Sequence, residues 1–281
     1  MKFLIFIIIL ILESCGGSSH HQDKVEKIEA QLQRGFQSDA REDYRSSLHI
    51  YDSMLKELPS NYIALVNRGR AKIYLGDTLS GMADLTTSIK IHPTPEAFAS
   101  KALAELYSDP NQALIDLTTG DSTIPRQGKL NVILAMYYTS IHPNRASASY
   151  YADYSSKLSI GDPIYYYMLM NTYLFCDDYP HLIKITDSLI IHFPKSPYPY
   201  NNRGWAELNL GDIQQANQDI RKSIELDSTN AWAYRNMSIV FEKMELLDSA
   251  CLYAQRAKQK DKKQKYKGDI DSLILKVCGK K

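Results

Sequence analysis

Cysteine is scarce in this sequence, with four residues in 281, too few for a disulfide framework. No charge sign predominates either. Thirty-three Lys and Arg stand against 32 Asp and Glu, a net +1, which excludes a strongly basic nucleic-acid binder and an acidic disordered chain. A glycine-rich phosphate loop, a Gly-x-Ser-x-Gly elbow and a His-Glu-x-x-His pair are all missing. Strand-like alternation is absent over any useful length. Beyond the first dozen residues no apolar run approaches the roughly 20 residues that a membrane-crossing helix needs. The sequence therefore predicts no enzyme, no metal and no cofactor. What it has in plenty is tyrosine, twenty residues, whose ring packs and hydrogen-bonds at once. With 44% hydrophobic residues, a core is easily filled.

The start is distinctive. Lys2 precedes the apolar stretch Phe3–Leu12, which is too short to cross a bilayer and has the charge-then-apolar form of a secretory signal. The segment Leu12-Glu13-Ser14-Cys15 resembles a bacterial lipobox, although Glu13 takes a slot where a small or aliphatic residue is usual. The resemblance implies cleavage after Ser14 and lipid on Cys15. The alternatives are an uncleaved anchor or an ordinary signal peptide. Residues 1–14 are thus expected to be a lipoprotein signal, and 15–27 a lipidated Cys with a polar tether.

A period of 34 residues runs through the rest. Pro59 and Pro93 are 34 apart, as are Gly35 and Gly69, and Ala216 and Ala250. Asn67-Arg68-Gly69-Arg70-Ala71 with Leu75-Gly76-Asp77 returns as Asn202-Arg203-Gly204-Trp205-Ala206 with Leu210-Gly211-Asp212. The offset is 135 residues, one short of four periods, so one residue is missing between them. Such self-similarity marks a stack of supersecondary units, each burying its apolar face on the next.

In this pattern the chain resembles the tetratricopeptide repeat (TPR) proteins, whose unit is a pair of antiparallel helices, A and B. The resemblance implies small residues where helices meet: Gly35, Gly69, Ala102, Gly204 and Ser238 on helix A, and Ser47, Gly81, Ser88, Ala148, Ser155, Ala216, Ser223, Ala250 and Ala257 on helix B. Pro59, Pro93 and Pro194 would stop helix B. Gly76 and Gly211 would take a positive φ at the hairpin turn, and Asp77 and Asp212 would cap the helix that follows. An all-α, right-handed TPR solenoid of about seven repeats is expected over 28–264. Its units are 28–61, 62–94, 95–128, 129–162, 163–196, 197–230 and 231–264, and 265–281 forms a capping helix closed by Ile270, Leu273, Ile274 and Val277. The third unit is degenerate, with a short turn at Asp109-Pro110-Asn111 and a helix B cut early by Gly120 and Pro125. The fourth has Pro143-Asn144 in place of the turn glycine.

The family's binding surface is the concave face made by helices A. Its positions here are Asn67, Arg70 and Tyr74; Tyr107; Tyr137; Tyr167 and Asn171; Tyr198, Asn202 and Trp205; and Trp232, Arg235 and Asn236. Aromatics with Asn and Arg suit a peptide, the rings and guanidinium anchoring and the amides bonding backbone. Each Tyr has an alternative role as interhelix filling. The carboxylate clamp of chaperone-binding TPRs is not reproduced, since Tyr167, Trp232 and Asn236 replace its charged members. The expected function is a non-catalytic, lipid-anchored adaptor for a protein or peptide on the periplasmic side of a bacterial outer membrane, with no nucleic-acid partner. The alternative is a glycan-binding lipoprotein whose Tyr and Trp faces stack on sugars.

Three further features have bland readings. Asp177-Asp178-Tyr179-Pro180-His181 falls at a hairpin turn and reads as a turn, not a metal cluster. Cys251 and Cys278 would meet if the last helix folds back, or would serve as small buried apolar residues. Seven Lys or Arg against one Asp from Ala254 to Lys267 read as a solvated helix end, or as a surface for anionic headgroups or an acidic partner.

Overall fold

A computed structural model describes residues 19–125, 127–158 and 164–279, with side chains from residue 25 onward. The signal segment and Cys15 lie outside the described residues. Among those described there are fifteen α-helices and no strand. They divide into two compact units, 1–125 and 126–281. The boundary between the units, after Pro125, falls within the array expected over 28–264, at the end of its third repeat.

The first unit holds α1 (Ser19–Ala40), α2 (Tyr44–Glu57), α3 (Tyr62–Tyr74), α4 (Thr78–Ile91), α5 (Pro95–Glu105) and α6 (Pro110–Thr123). The second holds α7 (Gly128–Met136), α8 (Arg145–Ser156), α9 (Ile164–Cys176), α10 (Tyr179–His192), α11 (Pro197–Leu210), α12 (Ile213–Leu226), α13 (Ala231–Lys243), α14 (Leu247–Lys260) and α15 (Lys267–Cys278). Each successive pair is a hairpin, with α15 left to close the second unit. Because α1 begins at Ser19, residues 19–27 are helical and the expected tether is shorter than 15–27.

The hairpin turns follow from local chemistry. Gly76 and Gly211 both have φ +92°, the left-handed region that glycine enters freely. Asp43, Asp77, Asp178 and Asp212 accept a bond from the backbone N–H three residues on and so cap the next helix. Helices α2, α4 and α10 each stop two residues ahead of Pro59, Pro93 and Pro194.

These caps locate the missing residue. They are 34 apart from Asp43 to Asp77 and from Asp178 to Asp212, but only 32 from Asp77 to Asp109. From Asp109 to Asn144 they are 35 apart, because α7 ends in a π-turn over Tyr137–Ile141, which spends an extra residue. The third repeat also corrects an expectation. Its helix B is not cut at Gly120; α6 continues through that buried glycine to Thr123. The conformational cost of one mid-helix Gly, about 1 kcal/mol, is small beside packing.

Close approach of helices A and B explains the small residues. A Cβ on Gly204 would lie 2.7 Å from Ile220 Cγ1, and one on Gly69 2.8 Å from the Gly81 carbonyl. Buried serines are tied across hairpins: Ser238 donates to the Ala250 carbonyl at 2.7 Å and Ser88 to that of Tyr62 at 3.0 Å. In the first unit Tyr51, Met54, Leu55, Ala64 and Leu65 form one core, and Val66, Leu85 and Ala97 another. In the second, Leu169, Tyr173, Leu182 and Leu189 fill the early hairpins, and Ile220, Met237, Val240 and Phe241 the late ones. Leu273 and Val277 of α15 join that last core, and Ile270 and Ile274 pack beside it, as their helical spacing predicts. A disulfide between Cys251 and Cys278 fastens α15 to α14.

Candidate functional site

Helices α9, α11 and α13 are the A helices of the last three hairpins, so residues 34 apart occupy equivalent places on them. At one such place stand Asn202 and Asn236, with Asn67 as their counterpart in the first unit. All three are buried: 9%, 0% and 7% exposed. Their amides serve the interior. Asn67 donates to the Ile63 carbonyl at 2.8 Å. Asn236 donates to the Asn201 side-chain oxygen at 3.1 Å, and Asn202 Nδ2 lies 3.3 Å from Met170 Sδ. Tyr137 is 3% exposed, its ring set edge-on to Tyr138 inside the fourth hairpin. The expectation that Asn67, Tyr137, Asn202 and Asn236 offer groups to a ligand is therefore corrected. An amide packed between neighbouring helices must satisfy itself there.

Beside these amides the same helices carry partly buried side chains, Trp205, Trp232 and Arg235. Arg235 on α13 lies between two indoles, with its guanidinium carbon 5.0 Å from the Trp205 ring centre and 4.6 Å from that of Trp232. Cation–π attraction holds a guanidinium in such a place. Nη1 donates to Asn236 Oδ1 at 3.0 Å, while Nε is shut off from water with no acceptor. Burial pushes the Arg235 pKa down, opposed only by the charge of Asp269. The cation thus sits against ring faces and amides, with no ion pair among the described residues. Tyr266 covers part of Trp232, their ring centres 4.8 Å apart. On the neighbouring A helices, Tyr198 of α11 is 56% exposed, and Asn171 of α9, 34 residues before Trp205, is exposed. Tyr167 is half-buried, with its hydroxyl donating to Ser196 at 3.1 Å.

In the first unit, Arg70 is exposed and Tyr74 stacks on Tyr44 at 4.4 Å, while Tyr107 stands out at the turn after α5. These three belong to a separate compact unit.

Two features escaped the sequence reading. Asn201 is one. It bridges Asn236 and Asn202, and its place 34 residues before Arg235 was the available signal. The other is an ionic ladder. Arg203 donates through Nε and Nη2 to both oxygens of Asp219, at 2.6 and 2.8 Å, and through Nη1 to Asp187 at 2.7 Å. Arg68 does the same with Asp84 and Asp52. The spacing of 16 residues on either side of each Arg is the signature, and each ladder ties a helix B to the next hairpin. Beside the Arg203 ladder, burial and the Asp219 charge push the Glu207 carboxyl pKa up to about 8. Lys72, at the equivalent place in the first unit, instead bonds Asp84 at 2.8 Å.

The basic run is partly engaged: Lys258 pairs with Asp271 at 2.8 Å, and Lys260 and Lys265 lie over the rings of Tyr234 and Tyr266. The segment 177–181 is a turn, with Asp178 capping α10. Among the described residues one group of side chains converges closely enough to hold an ion: Asp153, Asp178 and His181. No described helix is long and apolar enough to cross a membrane.

No family model and no curated protein matches the chain. Solved structures do. The C-terminal part of a TPR repeat-containing protein from Cytophaga hutchinsonii superposes with a TM-score of 0.53 at 12% identity, over 85% of this chain and 98% of that one. A chain of the APC/C hetero-tetramer Cut9–Hcn1 gives 0.58 at 14%, over 83% and 48%, so this protein spans about half its length. MamA from Desulfovibrio magneticus RS-1 gives 0.51 at 12%, over 60% and 95%. The hairpins, their 34-residue repeat and these likenesses agree: the chain has the fold of the tetratricopeptide repeat proteins.

Proposed function

We propose that this protein is a non-catalytic, lipid-anchored adaptor that holds a protein or peptide on the helix A side of its second unit, in the envelope of a bacterium. The observation that carries the reading is Arg235 between Trp205 and Trp232. A guanidinium kept among rings, without a carboxylate of its own, is suited to an acidic or carbonyl group brought by a partner, with the two indoles as anchors. Tyr198 and Asn171 widen the contact. The Cut9–Hcn1 assembly, which contains the same fold, is a complex of protein with protein. A sugar-stacking role is less favoured, because Arg235 lies over one face of each indole and Tyr266 packs against Trp232, which leaves fewer open ring faces for a sugar than edges and faces for a peptide.

An envelope location is supported by Lys2 with Phe3–Leu12, by Cys15 in its lipobox-like setting, and by the Cys251–Cys278 bridge, which suits an oxidising compartment. Lipid at Cys15 would keep the chain on the outer membrane, facing the periplasm.

The test compares the wild-type full chain with Arg235→Met, in detergent, for capture of proteins from envelope extract. Arg235→Met removes a cation that lacks an ion pair but also takes the donor from the buried Asn236 Oδ1, so the variant should stay folded with a loss of stability of no more than about 1–3 kcal/mol. The same change should weaken the captured complex about 30-fold, the loss typical of a central anchor. Retention at wild-type affinity by Arg235→Met, with loss on neutralising Lys258–Lys267, would place binding on the basic run and defeat the reading. Wild-type protein found free of membranes and without lipid would defeat the anchor.

A further inference from the structure

The turn before α10 is accounted for by its cap: Asp178 Oδ1 accepts from the His181 N–H at 3.2 Å. What the cap leaves unexplained comes from the preceding hairpin. Asp153, on α8, brings a carboxylate to this turn, so that one ligand atom each from Asp153, Asp178 and His181 lie within 4.8 Å of one another. Asp153 Oδ1 is closed to water and accepts no hydrogen bond. Tyr173, on α9, is 0% exposed and stacks on the His181 imidazole with ring centres 5.2 Å apart. Its hydroxyl too is closed to water and unpartnered, and it lies in the field of the Asp153 and Asp178 charges. The nearby Ser156 hydroxyl donates to the Asp153 carbonyl instead, and Arg145 pairs with Asp177. Asp178 Oδ2 lies 2.9 Å from His181 Nδ1, so these two are paired with each other. Asp153 Oδ1 and the Tyr173 hydroxyl beside them are left without a partner, and of Asp153, Asp178 and His181 the imidazole is the one group that can carry a positive charge. Like charges so placed repel, and a buried acceptor without a donor costs stability.

We propose that Asp153, Asp178 and His181 bind a divalent cation, Zn²⁺ by preference. Two carboxylates with one imidazole are donors that zinc accepts, and oxygen-only ions such as Ca²⁺ and Mg²⁺ have no use for the ring nitrogen. With bonds of about 2.0–2.2 Å in a tetrahedron, ligand atoms stand roughly 3.4 Å apart. Asp178 Oδ2 and His181 Nδ1, now 2.9 Å apart, would exchange their hydrogen bond for the ion, and Asp153 would move towards them. The fourth position faces solvent or the Tyr173 hydroxyl. Such an ion would tie α8 to α10, and with them two consecutive hairpins. It does not depend on the anchors of the partner site, Trp205, Trp232 and Arg235, which lie on α11 and α13.

The experiment uses untagged full chain in detergent, stripped with a chelator. His20 and His21 are changed to Ala throughout, since that adjacent pair can itself bind zinc. Calorimetric titration with ZnCl₂ should give one site per chain, and zinc should raise the melting temperature. Asp153→Asn should lower zinc affinity by about 100-fold or more, and its metal-free form should melt no lower than wild type, because the amide removes a buried charge. His181→Gln should lose zinc similarly, which keeps the test valid if Asp153→Asn folds poorly. Zinc binding unchanged in both variants, or absent from the parent, would overturn the proposal.

Discussion

Glu245 holds φ at +61°, in the place where the equivalent turns have Gly76 and Gly211; Glu42 and Asp177, at +59° and +58°, share the position. A residue with a Cβ pays about 1–2 kcal/mol there, partly offset by the chain entropy that glycine gives up on folding. Next to it, Leu246 is the N-cap of α14 and makes no side-chain bond, whereas its equivalents Asp43, Asp77, Asp178 and Asp212 all do. Leu246 is also half exposed, so nothing in the core requires it. Glu245→Gly with Leu246→Asp is therefore expected to stabilise the protein, by about 1 kcal/mol from the cap and a few tenths or more from the turn. A urea midpoint no higher than wild type would count against this account of the turn.

The hairpin α11–α12 is the element where buried charge matters most. Glu207 is 8% exposed; its Oε2 has no partner, and its nearest guanidinium nitrogen, on Arg203, is 3.9 Å away and committed to Asp219. Its charged neighbours are Asp219, Arg203 and Asp212, and its carboxyl stays protonated up to about pH 8. Below about pH 4.5 the folded and unfolded chains both hold that proton, and it has no effect on stability. Between pH 4.5 and 8 the unfolded chain releases it while the folded chain retains it, so stability falls as pH rises. Glu207→Gln copies the protonated form. The variant should be more stable than wild type at pH 8, with the difference shrinking towards zero near pH 4.5. Denaturant melts at pH 5, 6.5 and 8 check this, and equal pH slopes for the two proteins would refute it.

At the scale of the whole molecule, stability is carried hairpin by hairpin, and the open end of the second unit is closed by α15. The Cys251–Cys278 bridge spans 27 residues and holds that closing helix, so Cys251→Ser with Cys278→Ser should cost about 2–4 kcal/mol. In hydrogen exchange the loss should appear in α13–α15 and fade through α12 and α11, as expected of neighbours coupled in series. The first unit, 1–125, should keep its protection. Uniform loss across both units would show that the repeats unfold as one.

Local chemistry determined most of the architecture, and it is written in the sequence. Gly76-Asp77 and Gly211-Asp212 specify a turn and a cap, Pro59, Pro93 and Pro194 end helices, and Gly204 marks a close approach, because each acts within a few residues of itself. The Cys251–Cys278 bridge was open in the sequence and required the fold-back of α15. The π-turn at Tyr137–Ile141 and the persistence of α6 through Gly120 depend on packing that overrides local preference. The binding face was legible only in part. Spacing brought Trp205, Trp232 and Arg235 to one side, but whether an amide such as Asn202 or Asn236 meets solvent or a neighbouring helix depends on a rotation of a few tens of degrees, which periodicity does not resolve. Asp153 and His181 are 28 residues apart with no shared motif. Only the stacking of one hairpin on the next brings that carboxylate and that imidazole together.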